Sequence, residues 1–177
     1  GFYLILGVVA LVGIGALGYA MRGGTAATEP IDLSGVTDVR ELLERATPIE
    51  IGDRSAPVRM VVFSDFQCPY CGQFALQMKP QLQANQVADG TLHIAFYDFP
   101  LGGGHRHSFT ASRAARCAGD QGKYWEYHDL LYGQQSRWSP KNATPLSDFE
   151  DYAEVVGLDR AEFSSCLRSD RHAEVVT

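Results

Sequence analysis

Residues 58–74 read Val58-Arg59-Met60-Val61-Val62-Phe63-Ser64-Asp65-Phe66-Gln67-Cys68-Pro69-Tyr70-Cys71-Gly72-Gln73-Phe74. The opening run, Val58 to Phe63, is short, apolar and rich in β-branched residues, the composition of a buried central strand. A helical stretch follows from about Pro69 to Gln83, and Pro69 suits its first position because the N–H it lacks would be unpaired there in any case. The two cysteines therefore fall at a strand-to-helix junction. Unpaired backbone N–H groups and the helix dipole favour an anion at that point, so Cys68 is read as a thiolate nucleophile. Thiols in such settings ionise at about 3.5 to 7 instead of about 8.5. Cys71, one turn deeper, is placed to resolve a mixed disulfide by attacking the Cys68 sulfur.

Other readings of the pair are weaker. A lone CxxC can be half of a zinc site with His105 and His107 as the other ligands, but no second CxxC and no His pair at zinc-finger spacing accompanies it. Haem attachment requires His directly after the second cysteine, and residue 72 is Gly. A purely structural disulfide is disfavoured by the position at a helix start.

Upstream, Arg54-Ser55-Ala56-Pro57 closes a loop, and the globular domain is expected to start near Pro48 and run to 177. Residues 22–47 read as a linker that lifts this domain from its anchor, small, polar and aperiodic from Arg22 to Ser34. Within it, Val36 to Ala46 carries Val39, Leu42 and Leu43 on one face and predicts a short amphipathic helix. Residues 2–21, FYLILGVVALVGIGALGYAM, hold no charge. A helix of that length covers roughly 30 Å and predicts a transmembrane span. Its glycines permit close helix packing, and Tyr3 and Tyr19 sit at interfacial positions. A cleavable signal peptide fits less well, since Gly18-Tyr19-Ala20-Met21 is a poor small-x-small cleavage site. A buried core helix is the remaining alternative.

Downstream, Thr91 to Pro100 reads as the next strand, and Ser108 to Gly119, Tyr124 to Leu131 and Leu146 to Val156 read as helices punctuated by Gly119, Gly122, Gly133 and Gly157. Pro80 is expected to kink the first helix or end its regular part. Gly102-Gly103-Gly104 lacks the ending of a phosphate loop and predicts a turn. Trp125, Tyr127 and Trp138 are expected in the core in preference to a peptide groove. Strands separated by helices give an α/β class. With 15 basic and 21 acidic residues and a net charge of −6, the chain lacks the electrostatic footprint of a nucleic-acid binder.

The segment APVRMVVFSDFQCPYCGQF resembles the active-site segment of the DsbA-like thioredoxin-fold family, bacterial secreted disulfide oxidoreductases. TLHIAFYDFP resembles the family's next strand, and Pro100 to His128 resembles the opening of its helical insertion. The resemblance implies a thioredoxin-like fold with an inserted helical subdomain over about 101–177. It also implies Cys68 as the surface nucleophile and Cys71 as its buried partner, with Pro69 and Tyr70 completing the motif; no cofactor or metal is expected. His105 corresponds to a position where the family often has histidine, though a surface or capping role is the simpler expectation. The family also carries a cis-proline loop, two antiparallel strands and a final helix. Nothing after Cys166 reads that way, so those parts are expected either beyond 177 or missing, and RSDRHAEVVT would be the last, helix-like piece of the insertion.

Cys117 and Cys166 each fall in a predicted helix of the insertion, and the even cysteine count of an exported domain argues for a second disulfide between them, with free buried cysteines as the alternative. The chain is thus expected to be a thiol-disulfide oxidoreductase. Its single span would lie in a bacterial cytoplasmic membrane, with the domain on the outer face and exported protein thiols and a membrane redox partner as its reaction partners. The competing expectation is a non-catalytic thioredoxin-like subunit of a larger membrane complex.

Overall fold

The computed structural model describes residues 47–176. The expected span at 2–21 and the amphipathic helix at 36–46 lie outside the described residues. Among the described residues, no helix is long and apolar enough to cross a membrane.

Three strands form one sheet: β1 (Ile49–Ile51), β2 (Val58–Ser64) and β3 (Leu92–Asp98), in the order β1-β3-β2. β3 pairs antiparallel with β1, Ile51 opposite Ile94, and parallel with β2 from Val58↔Leu92 to Ser64↔Asp98. A parallel pair needs a crossover, and helix α1 over residues 69–87 supplies it. Every residue of β3 is buried, as its place in the middle requires.

β2 does not hold the buried central place that its composition suggests. Among the described residues it has a neighbour on one edge only, and Val58, Val61 and Phe63 are 55%, 45% and 52% exposed. Met60, Val62 and Ser64 turn inward while alternate residues face out. β1 was not legible in the sequence. It ends at Gly52, whose φ of 91° and close approach to the Leu92 carbonyl, 2.7 Å from where a Cβ would stand, leave room for glycine alone.

α1 extends four residues past the expected Gln83 and alternates α turns (Pro69–Gln73, Lys79–Leu82) with π turns (Phe74–Met78, Gln83–Val87). Pro80 has no N–H to offer the carbonyl four residues back. The regular α ladder gives way to the wider π turn just before it.

A helical layer follows: α2 (Ser108–Asp120), α3 (Tyr124–Gly133), α4 (Gln135–Trp138), α5 (Leu146–Val155) and α6 (Arg160–Leu167). Gly102 and Gly103 enter it through left-handed φ values of 65° and 59°, the turn that the glycine run predicts. Ala111, Ala114, Ala115 and Ala118 give α2 a surface of small side chains, and the helix is buried from Ser108 to Ala118. One core joins the sheet, through Phe96, to the helices, through Tyr127, Leu131, Trp138, Phe149 and Phe163. Each large side chain so buried contributes about 1.5–3 kcal/mol. Tyr127 and Trp138 are core residues, with the Tyr127 hydroxyl on the Phe149 carbonyl (2.8 Å) and the Trp138 indole N–H on that of Leu131 (2.8 Å). The tail after Leu167 corrects the helical expectation: it runs in turns and is pinned by Arg113, which donates to the Leu167 and Ser169 carbonyls, and by Ala173 and Val176 packed on Phe109.

Candidate active site

The C-terminal end of β2 delivers Ser64 into the interior, and the next four residues turn the chain into α1. Asp65, Phe66 and Gln67 are buried, Cys68 is half-buried, and Pro69 and Tyr70 are exposed, Tyr70 at 80%. Cys68 is the N-cap of α1 with extended backbone, and Pro69 takes the first helical position. The Cys68 carbonyl accepts from the Gly72 N–H (3.1 Å), and its own N–H donates to the Asp65 carbonyl (3.1 Å). Cys71 lies one turn on and packs against the core. Both thiols are free and half-buried, so the contrast between a surface and a buried cysteine is smaller than the resemblance implies.

Burial pushes the Cys71 thiol up, and the neighbouring Cys68 sulfur adds to the shift. The Asp65 N–H and the Ser64 hydroxyl oppose it by facing the Cys71 sulfur. A Cys71 that holds its proton suits a thiol that acts second.

The approach to Cys68 is fixed by side chains the sequence did not flag. Asp65, 1% exposed, accepts from the Gln67 N–H (2.6 Å), the Leu101 N–H (2.8 Å), the Ser108 hydroxyl and His105 Nδ1 (2.9 Å). Gln67 donates to the carbonyl and hydroxyl of Ser139, 3.0 Å each, and accepts from the His107 N–H. Tyr132, stacked on Phe66 at 4.8 Å, joins its hydroxyl to that of Ser64 (2.7 Å) and to the Asp65 carbonyl (3.2 Å). Gln135 donates to the carbonyls of Phe66 (2.7 Å) and Cys68 (3.1 Å). One signal was readable: Asp65 bonding the N–H two residues on is an Asx turn, which Asp-x-Gln permits. The other partners lie 36 to 72 positions away and leave no local trace.

His105 and His107 are not zinc partners of the CxxC pair. His105 is bound to Asp65, and His107 Nε2 lies 2.7 Å from the Lys141 carbonyl. Among the described residues, the one convergent set of potential metal-binding atoms is Cys117, Cys166 and His172. The two cysteines are joined as a disulfide that ties α2 to α6. Every peptide bond among the described residues is trans, so the cis-proline loop that the resemblance implies is not found there. A groove of about 530 Å³ runs beside the motif, lined in part by Pro69, Tyr70, Gln73, Leu76, Tyr132 and Gln135.

Comparison with known proteins agrees with this architecture. A family model described as Thioredoxin matches residues 44–177. The chain is 36% identical over 122 residues to Na(+)/H(+) antiporter NhaA 1 of Salinispora arenicola, covering 69% of this chain and 17% of that protein. It is 29% identical over 97 residues to the probable disulfide bond formation protein D of Bacillus anthracis, covering 55% of this chain and 45% of that one. It thus spans less than half the length of these relatives. Among solved structures, α-DsbA1 of Wolbachia pipientis aligns with a TM-score of 0.63 at 19% identity, over 73% of this chain and 63% of that one. BdbD of Bacillus subtilis aligns at 0.57 and 21% identity, over 70% and 69%. With its three-stranded sheet, the CxxC at the β2–α1 junction and the helical layer between them and residue 176, the chain belongs to the thioredoxin family, with the DsbA-type helical insertion.

Proposed function

We propose that the chain exchanges disulfides with the thiols of exported proteins through Cys68 and Cys71. The observation that carries this reading is the placement of Cys68 at the start of α1 with Cys71 one turn behind it, its thiol proton retained by burial. In the oxidising direction a client thiolate attacks Cys68 of the Cys68–Cys71 disulfide, and Cys71 leaves with the electron pair of the broken S–S bond. A second client thiolate then attacks the client sulfur of the mixed disulfide and releases Cys68. The client loses two electrons and the CxxC pair gains them, to be passed to a membrane redox partner. In the reducing direction the same steps run backwards, with Cys71 resolving the mixed disulfide.

The setting belongs to the proposal as well: a single N-terminal span in a bacterial cytoplasmic membrane, with the domain on the outer face, where disulfides persist. A second reading, a thioredoxin-like accessory domain of a larger membrane protein, is supported by the antiporter relatives, of whose length the matched region is 17%. Refolding of a reduced, disulfide-dependent protein separates the two. Catalysis that disappears in Cys68→Ser supports exchange. Activity indifferent to that substitution, together with stoichiometric co-purification of a membrane protein, supports the accessory role.

A further inference from the structure

Gln135 opens α4, a helix of one turn, yet its side chain reaches back across the domain to the segment that carries the nucleophile. Its position is held from both sides. Trp138, fully buried, anchors the turn to the Leu131 carbonyl, and Ser139 is tied to Gln67, the residue before Cys68. From there the Gln135 amide donates to the carbonyls of Phe66 and Cys68, at 2.7 Å and 3.1 Å. The same amide lies against Gly72: a Cβ added there would stand 3.4 Å from its oxygen and 3.6 Å from its nitrogen. The amide is therefore wedged between the approach to Cys68 and the first turn of α1.

The chemistry of that position concerns charge. A thiolate at a helix start is stabilised by N–H dipoles and opposed by carbonyl oxygens that turn towards it. Among the described residues, the Phe66 carbonyl takes part in no main-chain bond outside the regular elements, so Gln135 fixes where its negative end points. The Cys68 carbonyl already accepts from the Gly72 N–H, and Gln135 adds a second donor to it. Both oxygens are drawn towards the helical layer, and their partial charge is offset there by the amide. We propose that Gln135 is a positioning residue that sets the reactivity of the Cys68 sulfur by holding these two carbonyls. The inserted helical layer then acts on the redox pair through a side chain bonded to the backbone that carries Cys68.

This inference rests on the redox reading of Cys68 and Cys71, and its test keeps the two apart. The measurements are the alkylation rate of Cys68 by iodoacetamide at fixed pH, in a Cys71→Ala background, and the equilibrium of the intact Cys68–Cys71 pair with glutathione. Gln135→Met keeps length and packing and removes both donors; Gln135→Glu at neutral pH puts a carboxylate against both carbonyls. Gln135→Met is expected to lower the alkylation rate by roughly 3- to 10-fold, to shift the glutathione equilibrium towards the disulfide form, and Gln135→Glu to do more of both. Rates and equilibria within experimental error of the parent for Gln135→Met overturn the proposal and leave Gln135 a packing residue, even where Gln135→Glu fails to fold. If the parent chain itself forms no Cys68–Cys71 disulfide with oxidised glutathione, the redox reading fails first, and the proposal with it.

Discussion

The carboxylate of Asp65 lies 2.9 Å from His105 Nδ1, joining the segment just before Cys68 to the loop that opens the helical layer. That contact is one of four that converge on a single buried side chain, with the Gln67 and Leu101 N–H groups and the Ser108 hydroxyl. The carboxylate acts as the pin that sets the sheet end against α2.

Replacing Asp65 tests this directly. Asp65→Asn keeps the shape but turns an amide N–H₂ towards donors that need an acceptor, leaving at least one of them buried and unpaired. The substitution is expected to cost about 2–4 kcal/mol, measured as a lower urea midpoint. An unchanged midpoint would show that the four contacts contribute nothing net.

The Cys117–Cys166 bridge closes a loop with a sequence separation of 49 between α2 and α6. Removing both sulfurs in a Cys117→Ala, Cys166→Ala chain is expected to lower stability by about 4 kcal/mol in the chain-entropy model, with delivered values of about 2–4 kcal/mol common. Thermal unfolding with and without reductant checks it. In a Cys68→Ala, Cys71→Ala background, where Cys117–Cys166 is the remaining bridge, reductant should lower the midpoint of the bridged chain and leave that of the chain also lacking Cys117 and Cys166 where it was.

His128 makes the fold acid-sensitive. Burial among Phe66, Phe96 and Trp125 depresses its pKa from 6.5 to about 4, outweighing the Asp129 carboxylate on its Nδ1. The folded chain therefore keeps this ring neutral where the unfolded chain takes up a proton. Its contribution is complete above about pH 6.5, is lost as pH falls towards about 4, and amounts to about 3 kcal/mol across that window. Urea titrations at pH 7 and pH 4.5 should show the loss in the parent and a smaller slope with pH in His128→Phe. Equal slopes would remove the assignment.

Lys79, 2% exposed, pairs with Asp129 and stands 4.7 Å from the Trp125 ring centroid. Breaking such a pair from the anionic side leaves a buried cation, whereas replacing the lysine by an apolar chain of similar length does not. Asp129→Ala should thus destabilise by about 1–3 kcal/mol, discounted for the half-exposed carboxylate, and Lys79→Met by less. The reverse order in denaturant melts would contradict the pairing.

The sequence made the chemistry of the site legible better than its architecture. Cys68, Pro69 and Cys71 form a local motif whose junction position follows from strand and helix patterning, and α2, α3 and α5 announced themselves by periodicity within a residue or two. β1 did not, because three residues show no period. The last turn of α1 was missed because Gln83-Ala84-Asn85-Gln86 is too polar to continue an apolar stripe. The exposed face of β2 depends on which strands flank it, which composition cannot report. Asp65, Gln67 and Gln135 were passed over because their roles are hydrogen bonds across 36 to 72 positions, made only once the helical layer has docked.

The claim that Cys68 is the exchanging sulfur is tested most directly by trapping its covalent intermediate. With Cys71→Ala, a protein presenting an accessible disulfide should become linked to the chain, and peptide mass spectrometry should place the bond at Cys68 and show it cleared by reductant. No adduct, or an adduct at another residue, would contradict the account.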